Sequence, residues 1–294
     1  MITIYTWLAN AVKALEKAKN DGILDGYCIP KREVYYLLSH VLGKNSAYLM
    51  AFGEEQLNDV EIAQLNHILE QRLEGRPIAY ILGIKEFWSL PLKVSQATLI
   101  PRPDTESLIE KILELYSNKA LSVLDLGTGT GAIVFALAKE RPNWQFLGVD
   151  LISDAVDLAL ENKVRLAQLI SDIDRIDFRQ SNWFDTIDRE ECFDIIVSNP
   201  PYICESDEHL SQGDVRFEPK TALVSLANGL ADLNHITKSA KKHLKKGGHL
   251  FLEHGYLQHE SVKTLFLSHG YKNIQSYQDY NGKDRITFAQ YGGL

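Results

Sequence analysis

One stretch restricts this chain more than any other: Val123-Leu124-Asp125-Leu126-Gly127-Thr128-Gly129-Thr130-Gly131-Ala132. A short apolar run hands over, through three alternating glycines, to a segment with helical spacing. Glycines at such a junction let the turn tighten and let a ligand approach the backbone. The surrounding pattern repeats the unit. Strands are expected at Ser122–Leu126, Gln145–Val149, Ile176–Gln180, Asp194–Ser198 and His249–Glu253, with closing strands at Tyr271–Tyr277 and Arg285–Gln290. Helices are expected up to Glu140 and over Ser153–Leu169, Leu230–Leu244 and Ser261–Leu267. Repeated β-α-β order predicts an α/β fold with a mainly parallel, doubly wound sheet.

Asp150 ends the second strand, 19 residues after Gly131. A carboxylate there can accept hydrogen bonds from both ribose hydroxyls of a nucleoside. The loop alone leaves three readings open: S-adenosylmethionine (SAM), an NAD-like dinucleotide, or a structural turn. Gly127, Gly129 and Ala132 also satisfy the dinucleotide pattern. Asp125 favours SAM, because an acid inside the strand suits a cationic ligand free of phosphate better than a pyrophosphate.

The fourth strand ends in Asn199-Pro200-Pro201-Tyr202. Ligands of open α/β sheets bind beyond the carboxyl ends of strands, so this corner shares a rim with the glycine loop. Two prolines remove two backbone donors and stiffen the turn. What remains suits the gripping of a planar amino group. The Asn199 oxygen and the Pro200 carbonyl can each accept one N–H, and the Tyr202 ring can stack on the flat π-system. No neighbouring side chain reads as a strong base. Catalysis is therefore assigned to positioning, desolvation and N–H polarisation. The competing structural reading is a rigid Pro-Pro turn with an Asn cap.

Upstream, Ile4, Trp7, Leu8, Ala11 and Leu15 share one helical face. Leu37, Leu38, Val41 and Leu42 repeat the pattern before Gly43, as do Leu65, Ile68, Leu69 and Leu73 before Gly75-Arg76-Pro77. Residues 1–75 are thus expected to form a helical bundle that serves as a docking surface. Residues 76–97 are expected to form a β-hairpin linker, and residues 98–294 the catalytic domain. Net charge is −8. Residues 1–97 carry 10 Lys/Arg against 11 Asp/Glu, and the remainder 21 against 28, so neither part is a basic nucleic-acid module. Cys28, Cys192 and Cys204 contain no CxxC pair, which points to reduced structural thiols and no zinc site. His254 and His259 are read as ordinary surface or helix-end histidines. No run reaches the ~18 apolar residues of a membrane span, and Met1–Asn10 lacks the opening of a signal peptide. A cytoplasmic protein is expected.

Taken together, the motifs resemble those of the SAM-dependent release-factor glutamine N5-methyltransferases of the HemK/PrmC type. The resemblance spans essentially the whole chain. It rests on the helical N-terminal segment, Leu99-Ile100-Pro101-Arg102-Pro103-Asp104-Thr105-Glu106, Asp125 to Gly131, Asn199 to Ile203, Glu218-Pro219 with Ala222-Leu223, Gly247 to Glu253, and Asp279 to Arg285. It implies a Rossmann-like methyltransferase sheet with an antiparallel closing strand. It implies methylation of the glutamine amide in the Gly-Gly-Gln motif of bacterial-type release factors, with the N-terminal domain gripping the factor. By matching positions Gly127, Thr128, Gly129, Thr130, Gly131, Asp150, Trp183 and Asn199 would bind SAM. Asn199, Pro200, Pro201 and Tyr202 would form the substrate site, with Asn199, Pro200 and Tyr202 catalytic. A monomer with no direct DNA contact, membrane or metal is expected. Three positions depart from the family pattern: Asp104 replaces the usual Glu, Asn182 stands where an acid is common, and Ser89-Leu90 lacks a hairpin glycine. Two alternatives remain: a methyltransferase for exocyclic amines of nucleic acid, and a ribosome-associated module holding SAM as a structural ligand.

Overall fold

The computed structural model describes residues 2–26 and 28–292, which divide into two units. The smaller runs to Gly83 and takes in the distant segment Glu208–Phe217; the larger comprises Ile84–Asp207 and everything from Glu218.

The smaller unit is helical: α1 (Ile4–Asn20), α2 (Pro30–Leu42), α3 (Ser46–Ala51), α4 (Asp59–Leu73) and α5 (Ile78–Leu82). Polar caps start three of them. The Thr3, Asn45 and Asn58 side chains each accept a first-turn N–H, and Asn58 forms a reciprocal capping box with Glu61. Gly43 ends α2 in the left-handed conformation, as its place after Leu42 suggested. Ile4, Trp7, Ala11, Leu15, Val34, Leu38 and Leu65 form the apolar core. Of the α4 face only Leu65 is fully buried, with Ile68, Leu69 and Leu73 packed on the margin. Sequence spacing did not mark the short helix α5.

In the larger unit, β1 (Ile84–Phe87) and β2 (Leu90–Lys93) form an antiparallel hairpin. Then follow α6 (Glu106–Leu115), β3 (Ser122–Leu126), α7 (Ala132–Glu140), β4 (Gln145–Asp150), α8 (Ser153–Leu166), β5 (Ile176–Gln180) and β6 (Phe193–Ser198). A kinked turn, α9 (Leu226–Gly229), precedes α10 (Ala231–Ala240), β7 (Leu244–Glu253), α11 (His259–Ser268), β8 (Lys272–Gln278) and β9 (Asp284–Gln290). Seven strands lie in the order β5-β4-β3-β6-β7-β9-β8. All are parallel except β9, which runs antiparallel to both neighbours. This is the expected doubly wound sheet with its antiparallel closing strand. Helices cover both faces over separate apolar clusters, one containing Phe135, Phe178 and Phe251, the other Leu126, Ile196 and Leu252.

Most boundaries lie within three residues of the sequence expectation, and two differ by more. Helix α10 ends at Ala240, and β7 begins at Leu244 rather than His249. Lys245-Lys246-Gly247-Gly248 reads as a helix stop but lies inside the strand, where the register against β6 shifts between Phe193 and Ile195. Chain order reverses between β3 and β6: β3 leads to β4 and β5 on one side, and β6 opens the other. That switch point is where an open α/β sheet presents its crevice. Among the described residues no helix is long and apolar enough to cross a membrane.

Candidate active site

A cleft of ≈ 240 Å³ opens beyond the carboxyl ends of β3, β4 and β6. Gly127, Thr128, Gly129, Thr130, Asp150, Trp183, Asn199 and Pro201 wall it. Of the other expected site residues, Gly131, Pro200 and Tyr202 do not figure among the described residues of that wall.

The glycine loop is built from behind. Asp125 is fully buried and accepts the Thr128 hydroxyl on Oδ2 at 2.7 Å, while Oδ1 has no partner. Burial raises the carboxyl's pKa to about 7 against the Thr128 bond, with Asp150 adding a further push. Asp125 thus backs the loop instead of facing the cleft. Gly131 is a glycine for packing. It has φ +80° at the N-cap of α7, and a Cβ there would stand 2.5 Å from the Phe135 ring. The close seating of α7 on the sheet requires its absence.

Asp150 accepts the Gly129 N–H on Oδ2 (2.9 Å) and the Ile152 N–H on Oδ1 (3.0 Å). A carboxylate offers about four lone-pair sites, so each oxygen keeps capacity for a ligand hydroxyl. Burial shifts its pKa upward against those backbone bonds. Trp183 adopts φ +52°, a strained conformation for a bulky residue. Its indole lies beside Gly127, 3.6 Å from where a Cβ would stand. Asn182 also lines the cleft and donates from Nδ2 to Asp185 at 3.1 Å, which leaves its oxygen to accept. A diol acceptor, a flat aromatic wall, an acceptor for an amino group and a glycine cradle together fit an adenosine-bearing ligand. No cluster of His, Cys, Asp and Glu able to hold a metal occurs among the described residues.

Asn199 follows β6 directly. Its Nδ2 donates to Thr105 Oγ1 at 3.2 Å, directing the amide oxygen away from Thr105. Pro200 is buried, and the Tyr202 ring packs against the second core cluster. The Tyr202 hydroxyl donates to Glu253 Oε1 at 3.4 Å. Burial pushes the pKa of that hydroxyl well above its ordinary value, as does the Glu253 charge. Glu253 lies behind the cleft rather than on it, 2% exposed at the end of β7.

Several wall residues carried no site assignment from sequence: Thr98, Leu99, Pro101, Arg102 and Thr105. They come from the Ile-Pro-Arg-Pro stretch, whose prolines hold it extended before α6. Glu218 fixes that stretch. Nearly buried, it accepts Arg102 Nη2 on Oε1 and the Ile100 N–H on Oε2 at 3.2 Å. This staple explains why two segments 116 positions apart belong to one motif set. The proline pair beside an arginine was the available signal. Asn162, fully buried, ties the hairpin to the glycine loop by bonding the backbone of Lys93 and the Thr130 carbonyl. His254 proves to be a core residue, fully buried between Thr287 and the Gly255 carbonyl. Burial lowers its pKa to about 4, so it stays neutral.

Comparison with known proteins places both units. Residues 117–290 match the family model described as a methyltransferase domain, and residues 6–83 match that of the PrmC N-terminal domain. The release factor glutamine methyltransferase of Aliivibrio fischeri is 49% identical over 96% of this chain and 98% of its own length. That of Escherichia coli is 46% identical over 97% and 98%. Among solved structures, a methyltransferase from Pyrococcus furiosus superposes with a TM-score of 0.52 at 18% identity, covering 78% of this chain and all of that one. This last likeness is one of fold.

Proposed function

The chain belongs to the release factor glutamine methyltransferases, and on that premise we propose that it methylates the side-chain amide nitrogen (N5) of the glutamine in the Gly-Gly-Gln motif of peptide chain release factors, tuning translation termination. One observation carries this reading: the Asn199 carboxamide stands on the cleft wall with its NH2 tied back to Thr105, on the rim shared with the glycine loop.

S-adenosylmethionine supplies a methyl carbon made electrophilic by its sulfonium. Gly127 to Gly131 with Asp150, Trp183 and the Asn182 oxygen would hold it. Asn199 Oδ1 and the Pro200 carbonyl would each accept one N–H of the glutamine amide, Tyr202, set behind the wall, would support its flat face, and Pro201 would close the wall. An amide nitrogen is a weak nucleophile because its lone pair is shared with the carbonyl. Two acceptors pull electron density toward nitrogen through its N–H bonds and aim the remaining lone pair. Exclusion of water and correct aim supply the rest of the acceleration. Transfer would form the nitrogen–methyl bond as the donor's sulfur–methyl bond breaks, leaving S-adenosylhomocysteine; the nitrogen would give up one proton, which passes to solvent as the site reopens, and no side-chain base is assigned.

The helical unit up to Gly83 serves to dock the factor, the hairpin region joins it to the catalytic unit, and the enzyme acts as a cytoplasmic monomer without direct contact to DNA. The test uses labelled SAM, purified release factor and a Gln→Ala variant of its Gly-Gly-Gln motif. Label on the wild-type factor and none on the variant is expected. Equal labelling of both, or labelling of nucleic acid alone, would overturn the assignment.

A further inference from the structure

We propose that Thr105 and Glu253 are positioning residues that decide which end of the Asn199 carboxamide faces the substrate. The inference rests on the reading of Asn199 given above. A carboxamide has a donor end and an acceptor end, and only the acceptor end can grip an incoming N–H. Nothing in the Asn199 side chain itself selects between them. The selection is made one layer back.

Asn199 Nδ2 donates to Thr105 Oγ1 at 3.2 Å. Thr105 is 5% exposed, so a hydroxyl that accepts this bond needs a nearby acceptor for its single proton. The acceptor it faces is the Glu253 carboxyl, whose ionised form the Thr105 hydroxyl supports. Glu253 ends β7, the strand next to β6, from which Asn199 emerges. Its Oε1 takes the Tyr202 hydroxyl at 3.4 Å, and its buried Oε2 has no hydrogen-bond partner among the described residues, which leaves an acceptor open beside Thr105. An ionised carboxylate only accepts. It therefore fixes the direction of the whole chain: Thr105 donates to Glu253, Thr105 accepts from Asn199, and the Asn199 oxygen turns to the cleft. A neutral Glu253 carries a proton that can point at Thr105. The Thr105 hydroxyl is then free to donate toward Asn199, and the carboxamide loses its bias.

Burial raises the Glu253 pKa to about 7, with the Thr105 bond and Arg285 opposing it and Asp104 reinforcing it. The groups around the carboxyl are Tyr202, a neutral donor, and Asp104 and Arg285. Arg285 is itself held by Asp279 (3.3 Å) and Asp104 (3.7 Å), while Arg102 and Arg285 both act on Tyr202. Methyl transfer should therefore rise as pH increases through about 7.

The test compares full-length wild type with Glu253→Gln, Thr105→Val and Thr105→Ser. With release factor as acceptor, Glu253→Gln and Thr105→Val should lower kcat about 10- to 100-fold, while SAM affinity stays within about threefold. Thr105→Ser, which keeps the hydroxyl, should return kcat to within about threefold of wild type. The rising limb near pH 7 should be present in wild type and absent in Glu253→Gln. A second readout needs no acceptor protein: the Asn199 side-chain amide signals, identified by their loss in Asn199→Ala, should shift with a midpoint near pH 7 in wild type and not in Glu253→Gln. Wild-type kcat and an unchanged pH limb in Glu253→Gln would overturn the inference, as would Thr105→Ser matching Thr105→Val. Should wild type fail to methylate the factor, the functional reading falls while the amide titration still decides this one.

Discussion

Asn199→Ala removes the side-chain acceptor proposed to grip the substrate amide. Transfer should fall by at least about 100-fold, while SAM binding, measured by calorimetry, stays within about tenfold because the lost bonds act on the reacting nitrogen. Asp125 offers a separate prediction on stability. Its pKa rises from 3.8 when exposed to about 7 in the fold, so the folded state binds the proton more tightly. That contribution is fully present below pH 3.8 and is lost as pH climbs through about 7. Asp125→Asn should therefore flatten the fall in urea-unfolding midpoint over that window for ligand-free protein. An unchanged slope would refute the assignment. Asn199 and Asp150 could be singled out as candidates because each stands at the end of a strand, whereas Trp183 came only with the family resemblance. Thr105 and Glu253 could not be, because their meaning lies in contacts made across 94 and 51 positions. Single-sequence spacing carries no such information.

The hairpin shows the same limit among the elements. Its strands are visible in the alternation of Phe87 to Val94, but its turn breaks the usual chemistry. Trp88 and Ser89 both take positive φ, 52° and 55°, where Asn-Gly is the common choice. The strain is offset from outside: Glu106 accepts the Trp88 N–H at 2.8 Å, Glu140 accepts its indole N–H at 3.0 Å, and Lys139 donates to its carbonyl at 3.2 Å. Ser89 is exposed and makes no contribution of that kind. Relief of about 1–2 kcal/mol of left-handed strain, less roughly 0.5–1 kcal/mol for the freer glycine, means that Ser89→Gly should raise the unfolding free energy by about 0.5–1 kcal/mol, read from denaturant curves. A loss of stability would mean that the turn is not strained. The central strands β3, β4 and β6 were legible because buried parallel strands read as apolar runs. The early start of β7 was not, because a Lys-Lys-Gly-Gly sequence suits a helix end as well as a bulge.

At the scale of the molecule, the smaller unit is discontinuous. Nothing in local sequence marked Glu208–Phe217 as part of it; Arg72 is one residue that ties it in. That guanidinium, 1% exposed, donates to Glu33 at 2.7 Å and to Asp214 at 2.9 Å. Arg72→Met would leave Glu33 buried without its partner. Loss of about 3–5 kcal/mol is expected, with new protease cleavage within residues 208–217. An unchanged digestion pattern would show that the arginine does not hold the segment. The acidic balance acts at this scale as well. A chain of net charge −8 gains little from neutralising phosphates. Incorporation of label into purified DNA or RNA should stay at background at both low and high salt.

The most direct trial of the proposed chemistry is tandem mass spectrometry of release factor after incubation with enzyme and SAM. A single added methyl group is expected on the side-chain nitrogen of the Gly-Gly-Gln glutamine, absent when Asn199→Ala replaces the enzyme. A methyl group found on another residue, or on the glutamine with the Asn199→Ala enzyme at wild-type rate, would contradict it.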